Sequence, residues 1–387
     1  MSRIPVLAEG FAYGGEAFGR LPDGRICFFR GGVPGETAEL ELGSVKRSFA
    51  RGVLRGVPVP SPERIAPKCP SAVCPGAGNF CPGCSFQQVP YSVELYWKQR
   101  QLTDFLVRGK IADDSVLDDP VPSPSRFGWR NRLKLTSVGG KIGFVSEDNV
   151  SIVPVSRCPL AAEALNAKLA EFPDEAGDGE IFLRWTEEDG VVVNGGEREL
   201  TEHLEEFGTF AVPASSFFQT NTQVAARLLR GAVGMLKELG ARRLLELYCG
   251  VGVFSLAAAQ MLPDLRTFAV ELDARAIGCA ERNAGARQVA SRCRFVVGNA
   301  EKWRELPEGV LPDAVLVDPP RRGLSDKLIA SLKRWRVPHV IYVSCAPDTL
   351  ARDLKQLSGT YRVARCRLYD MFPCTAHFET LTRLDLK

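Results

Sequence analysis

No apolar run in the 387 residues approaches the length of a membrane span, and the opening MSRIPVLAEG lacks the pattern of a secretory leader. The sequence therefore argues against a helical membrane protein and for a cytoplasmic one. Charge of one sign is also scarce in sum: 49 Lys and Arg face 46 Asp and Glu, a net of +3. That total neither demands nor excludes an acidic partner, so local charge carries the information. Internal repeats and low-complexity tracts are absent as well, and the length is ample for two or three domains with a sizeable core.

What is present is uneven. Residues Glu171 to Glu206 hold thirteen acids and two arginines, which reads most simply as a solvated surface. Residues Asp318 to Asp370 hold eleven Lys and Arg against five acids and enclose Cys345, so a phosphate-bearing substrate is worth weighing. Twelve cysteines in a reducing compartment stay as thiols, which points to metal binding, catalysis or burial rather than disulfides.

Residues 1–60 alternate in the strand period between Asp23-Gly24, Gly31-Gly32 and Pro34-Gly35, the pattern of a small β-barrel of the oligonucleotide-binding kind. Pro58, Pro60 and Pro62 form a linker, and residues 61–90 carry a cysteine cluster. A helix follows with Leu95, Leu102, Phe105 and Leu106 on one face, then a mainly β region running to about residue 211, with strands meeting at Gly139-Gly140. From residue 212 onward helices and strands alternate, as in a doubly wound α/β sheet. The fold expected is thus multidomain α/β.

LLELYCGVGVFSL at 244–256 predicts a strand, a glycine turn and a helix, with Gly250 and Gly252 letting backbone approach a ligand. Glu271 ends the next strand twenty-one residues after Gly250, where an acid accepts hydrogen bonds from ribose hydroxyls. The third glycine of the dinucleotide motif is missing, and no Lys or Arg in the loop grips phosphate. A ribose ligand without phosphate, S-adenosylmethionine, fits better than a dinucleotide. Asn299 is placed to bond an adenine edge, and Asp318 in VDPPRRG ends a strand at the carboxyl edge of the sheet.

Cys69, Cys74, Cys81 and Cys84 lie within sixteen residues, enough for zinc or an iron–sulfur centre; Cys158 stands apart and spacing alone does not join it to them. Cys345, in YVSCAPDTLARDL, ends an apolar strand and precedes a helix, whose N-terminus would lower its thiol pKa.

SFFQTN (216–221), LYCGVGVFSL, VDPPRRG (317–323), YVSCAPDTLARDL (342–354) and DMFPCTAHFETL (370–381) occur in an order that resembles the S-adenosylmethionine-dependent RNA uracil-5 methyltransferases carrying an N-terminal TRAM domain. The likeness runs over nearly the whole chain. It implies an RNA partner, most of all large-subunit ribosomal RNA with transfer RNA as the alternative, and a monomer. It implies Cys345 as nucleophile, Glu379 of HFE as proton acceptor, and Gln219, Tyr248, Gly250, Glu271, Asn299 and Asp318 as donor contacts. In the family's cluster-bearing branch a 4Fe–4S cluster is held by three near cysteines and one distant one. The match gives Cys81, Cys84 and Cys158, with Cys69 first and Cys74 its alternative because CPGAGNF looks inserted. Three departures stand out: SCAP replaces SCNP, CPGC lacks a second glycine, and Asn299 stands where Asp is frequent. The rival activity, methylation of an adenine or cytosine amine, expects an aromatic where Arg321 follows the Pro-Pro. A non-catalytic RNA assembly factor would be expected to have lost Cys345 or Glu379. Arg321, Arg322 and Arg352 are expected to supply positive potential near the thiol, and Trp129, Arg130, Arg132 and Lys134 to meet RNA, with Trp129 reading equally as a stacking platform or as a core aromatic.

Overall fold

The structure is a computed structural model and describes residues 3–76, 80–172, 177–306 and 310–387. Part of the CPGAGNF segment, and Asp174 and Glu175 of the acidic stretch, lie outside the described residues. The chain divides into two units, Met1–Gln101 with Ser125–Leu183 and Phe372–His377, and Leu102–Pro124 with Arg184–Met371 and Phe378–Lys387.

In the first unit, β1 (Ile4–Phe11), β2 (Ala17–Arg20), β3 (Ile26–Phe29), β4 (Thr37–Val45) and β5 (Phe49–Val59) close into a barrel in the order β1-β2-β3-β5-β4. Alternation turns Val6, Ala8, Ala17, Cys27, Phe29, Leu40 and Ala50 inward, all at most 2 % exposed. Gly24, Gly31 and Gly35 take positive φ, as the turn dipeptides predicted. Pro58 falls inside β5, so the linker begins after Val59.

Helix α1 (Tyr91–Val107) buries Leu102 and Leu106 of the face predicted, but the residues it buries are not purely apolar. Leu95 and Phe105 are half-buried, while Glu94 and Lys98 are wholly buried as an ion pair at 2.8 Å. Glu94 also accepts a hydrogen bond from the Cys374 amide at 2.6 Å, so the charge is stabilised by groups brought from far along the chain. Strands β6 (Arg132–Val138) and β7 (Lys141–Val145) meet at Gly139 and Gly140, both at positive φ, and β8 (Ile152–Pro154) pairs with β7. Helix α2 (Glu163–Ala170) and strand β9 (Gly179–Thr186) complete this part.

The second unit adds β10 (Gly190–Val193), β11 (Glu199–Leu204), β12 (Gly208–Pro213), α3 (Thr222–Glu238), β13 (Arg243–Leu247), α4 (Val253–Met261), β14 (Arg266–Glu271), α5 (Ala274–Ala286), β15 (Cys293–Val297), β16 (Ala314–Val317), α6 (Asp326–Trp335), β17 (His339–Ser344), α7 (Pro347–Leu357), β18 (Tyr361–Tyr369) and β19 (Glu379–Leu386). Among the described residues its main sheet runs β15-β14-β13-β16-β17-β19-β18. The first five strands are parallel, and β19 is antiparallel to β17 and β18. The parallel strands are buried throughout at Ala314–Val317 and Val340–Val343, as continuous apolar runs require. Glu202, within the acidic stretch, is not solvated: it is 2 % exposed and pairs with buried Arg184 at 2.8 Å. Among the described residues no helix is long and apolar enough to cross a membrane.

Candidate active site

The turn after β13 is shaped by backbone. Tyr248, Gly250 and Gly252 all take positive φ, at 66°, 54° and 80°, and for tyrosine that conformation costs about 1–2 kcal/mol. Amides of Tyr248 and Cys249 both donate to the Val270 carbonyl, at 3.0 and 3.1 Å, and so hold the turn to β14. A Cβ at Gly250 would meet nothing within 4 Å, whereas one at Gly252 would stand 2.6 Å from the Phe295 ring. Gly250 is thus open as predicted, but Gly252 is required by packing rather than by a ligand.

A cavity of about 70 Å³ opens beside this turn, lined among others by Gln219, Tyr248, Gly250 and Asp318. The Tyr248 hydroxyl is buried without a hydrogen-bond partner among the described residues. A polar ligand there would satisfy it, and the residues present fit a nucleoside-bearing donor. Gln219 is brought to the cavity by a loop pinned at both ends: Ser216 donates to Asp273 at 2.7 Å, and Asn221 caps α3 by accepting from the Val224 amide at 3.3 Å. Glu271 accepts from the Gly250 amide at 3.0 Å and from those of Leu272 and Asp273 at 2.6 and 3.0 Å, so its carboxylate also organises the turn. Asn299 caps a short turn by accepting from the Glu301 amide at 3.0 Å, and neither it nor Glu271 lines the cavity.

Cys345 follows β17, and Glu379 opens β19. The antiparallel register pairs Ser344 with Thr380, so the thiol and the carboxyl occupy the next facing positions. Asp318 follows β16, the neighbour of β17, at the same carboxyl edge. Cys345 is half-buried, and Glu379 is 4 % exposed with Oε2 unpartnered among the described residues. Burial, then Glu379 and Asp318, push the Cys345 thiol up to about 12; Arg321 pulls the other way. This corrects the expectation of a thiol made acidic by its helix. The partial charge at the start of α7 is outweighed by desolvation and two neighbouring carboxyls. Burial raises Asp318 to about 7 and Glu379 well above the usual carboxyl range. Of the three arginines predicted to face the thiol, only Arg321 acts on it. Arg322 pairs with Glu301, and Arg352 with Asp353.

Two acids escaped the sequence reading. Asp353 is fully buried and accepts from the Tyr342 hydroxyl at 2.8 Å, the Leu324 amide at 2.7 Å and Arg352 Nε at 2.8 Å. It therefore joins β17, the loop that carries Arg321, and α7. A Cβ at Gly323 would stand 2.4 Å from its Oδ2, which is why glycine closes VDPPRRG. Glu246, fully buried in β13, accepts from the Ser255 amide at 2.8 Å, and burial raises it to about 8. An acid flanked by apolar residues in LLELY was the one available signal.

In the first unit, Cys69, Cys81, Cys84 and Cys158 line one cavity of about 20 Å³ with Phe144, Val153 and Val155. Cys74 is exposed and does not line it. Gln87 donates to Cys84 Sγ at 3.1 Å and accepts from the Cys69 amide at 3.0 Å. Burial raises the thiols of Cys69, Cys81 and Cys84, and for each of them Cys158 adds to the rise. Four thiols thus share one cavity, although among the described residues no group of three or more His, Cys, Asp or Glu is placed to hold a metal ion. Trp129 is no stacking platform: it is 7 % exposed and packs on Phe372 with ring centroids 6.1 Å apart. Arg130 lies 5.3 Å over that indole, and its charge lowers the Cys81 thiol. Lys134 pairs with Glu180 at 2.5 Å. The His377 amide donates to Thr375 at 3.2 Å.

Comparison with known proteins now decides the family. Residues 205–386 match the family described as tRNA (uracil-5-)-methyltransferase, and residues 2–54 match the TRAM domain. The chain carries a TRAM domain and a uracil-5 methyltransferase domain. The enzyme is thus an RNA methyltransferase by family. It is 28% identical to an uncharacterized RNA methyltransferase of Thermosynechococcus vestitus, over 98% of this chain and 97% of the relative. It is 29% identical to one of Nostoc, over 99% and 96%. Among solved structures, Pyrococcus abyssi tRNA (uracil-54, C5)-methyltransferase in complex with S-adenosyl-L-homocysteine matches with a TM-score of 0.74 and 25% identity, over 98% of this chain and all of that one.

Proposed function

We propose that this enzyme transfers a methyl group from S-adenosylmethionine to C5 of a uridine in RNA through a covalent adduct of Cys345. The observation that carries the reading is the facing register of Cys345 and Glu379 at the sheet edge that also bears Asp318. Gln219, Tyr248, Gly250 and Asp318 would hold the donor at their common cavity, and Glu271, bonded to the Gly250 amide, and Asn299 are proposed as further donor contacts. The solved structure of the similar archaeal enzyme, which contains the demethylated product of that donor, supports this choice. When bound, the donor supplies an electrophilic methyl on a positively charged sulfonium.

Uracil C5 is too electron-poor to attack that methyl unaided. Cys345 as thiolate adds to C6, and the electron pair of the C5–C6 double bond moves onto C5 and O4. C5 then forms its bond to the methyl carbon as the methyl–sulfur bond breaks, its electron pair staying on sulfur and leaving the donor as a neutral thioether. Glu379 as carboxylate takes the C5 proton, the C5–C6 double bond re-forms, and the C6–S bond breaks to return the thiolate. Arg321 and the incoming cation both oppose the burial that holds the thiol protonated. The target base must leave its stack, which suits an unpaired loop.

Large-subunit ribosomal RNA is the first proposed substrate. Transfer RNA is the second reading, favoured by the archaeal structure's action at tRNA uracil 54. Cys69, Cys81, Cys84 and Cys158 are proposed to hold a 4Fe–4S cluster that braces the first unit, since no step above is a redox step. The protein is proposed to act as a monomer.

Incubation with 5-fluorouridine RNA and donor is expected to give a gel-stable adduct, because fluorine at C5 cannot leave as a proton does. An adduct that persists in Cys345→Ala overturns the mechanism. Mapping 5-methyluridine in RNA from cells lacking the protein identifies the substrate.

A further inference from the structure

A second cavity of the second unit lies away from the proposed methyl-transfer site. It measures about 590 Å³ and lies at the amino-terminal ends of β13, β14 and β15, whereas Gly250, Glu271 and Asp318 follow the carboxyl ends. Five-residue strands place the two regions about 15 Å apart.

Its lining is cationic. Arg243, Arg266, Arg292 and Arg294 surround it, against one carboxylate on the wall, Glu281. Parallel pairing sets Arg243 directly beside Arg266, two like charges of which Asp313 offsets the first. Several of the four also have contacts within the protein. Arg292 donates to the Leu262 and Leu265 carbonyls at 3.1 and 3.2 Å, and Arg243 stands 3.6 Å from Asp313. Arg266 and Arg294 are exposed at the rim. Arg294 lies 5.4 Å over the half-buried ring of Phe268, its partner in register. A flat aromatic and a guanidinium plane flanked by further cations form the pair of features by which proteins hold one unstacked base and its phosphate. The volume is that of a site for a molecule of nucleotide size.

We infer that this cavity binds a phosphorylated nucleotide of the RNA substrate, several residues of RNA away from the target uridine. The inference rests on the RNA reading above. A free mononucleotide shares the chemistry, so the test separates the two.

Binding of a fluorescent single-stranded oligouridylate is measured by anisotropy across a salt series. The full-length protein is compared with Arg266→Gln/Arg294→Gln, with uridine 5′-monophosphate titrated in parallel. Affinity is expected to fall about tenfold in the double variant, and the slope of log K against log salt by about 1.4. S-adenosylhomocysteine affinity is expected to be unchanged. Glu281→Lys, which removes the carboxylate on the cavity wall, is expected to tighten the oligomer and serves if the double variant misfolds. Unchanged oligomer affinity and slope in the double variant, or in Glu281→Lys if that variant is the one used, overturn the inference. So does a mononucleotide that binds as tightly as the oligomer. If no form binds RNA, the RNA reading itself fails, which is a different result from RNA bound equally by all forms.

Discussion

Cys345 and the four cysteines of the first unit share a side chain and differ in company. Burial raises thiols in both places, but the reasons a proton would leave are opposite. Around Cys345 stand two carboxyls and one arginine, so a cationic ligand tips a single thiol toward thiolate. Around the small cavity the thiols of Cys69, Cys81 and Cys84 are each raised by burial and by a neighbouring cysteine, so a shared cation would favour their ionisation. The first arrangement is the one proposed for a nucleophile and the second the one proposed for a ligand set. The lesson is that thiol chemistry is assigned by the sign and number of neighbours, and burial alone does not distinguish the two.

The sharpest way to break that comparison is Cys345→Ser. Methyl incorporation from a labelled donor is expected to fall by roughly 10³-fold or more, with donor affinity retained by calorimetry. Turnover near the original rate would remove the thiol from the reaction. Glu379→Gln comes next, with kcat lowered about 10²–10³-fold. Here ordinary uridine RNA should accumulate as the protein adduct, because C6 is attacked while the C5 proton stays.

The other half of the comparison is tested by metal content. Anaerobically prepared protein is expected to be brown with about four irons per chain. Cys81→Ser and Cys158→Ser should lose both colour and iron, while Cys74→Ser keeps them; a colourless protein with one zinc defeats the cluster. Asp353→Asn probes the support beneath Cys345. Losing a charged acceptor for three donors is expected to cost about 3 kcal/mol in urea unfolding and to lower kcat by about tenfold.

The smallest effect concerns pH. Glu246 at about 8, Asp318 at about 7 and Glu379, raised well above the usual carboxyl range, each bind a proton in the folded chain that the unfolded chain releases near 4.5 or below. Their contribution is complete below the unfolded values and is lost as pH rises through the folded ones. Stability of the ligand-free protein should therefore decline from about pH 5 to about pH 8. Activity should rise over the upper part of that range, since Cys345 and Glu379 both act deprotonated. Alkylation of Cys345 by iodoacetamide should quicken when S-adenosylmethionine is present.

Local signals carried much of this fold. The barrel was legible from glycine turns and strand alternation, and the α/β sheet from its alternating elements, because both are written in short-range periodicity. The motif residues were legible as a set, yet their electrostatics were not. The rise of the Cys345 thiol comes first from burial and then from Glu379 and Asp318, which only β-pairing brings to its side. Nothing in the apolar spacing of α1 announced the buried pair Glu94 and Lys98, which is met by the amide of Cys374 from far along the chain. Trp129 was ambiguous because an aromatic among cations reads equally as RNA platform or as core. Asp353 sits in a helix whose pattern explains it as surface charge, and nothing local announces three donors arriving from separate segments.

The ladder between β17 and β19 has one more consequence. Because hydrogen bonds between these strands set the spacing of thiol and carboxyl, the stretch of chain joining them is free to lengthen. Insertions at the turn near Ser358–Thr360 should leave the chemistry intact. A shift of β19 by a single position would do the reverse, pointing the proton acceptor to the opposite side of the sheet while leaving the fold's outline unaltered.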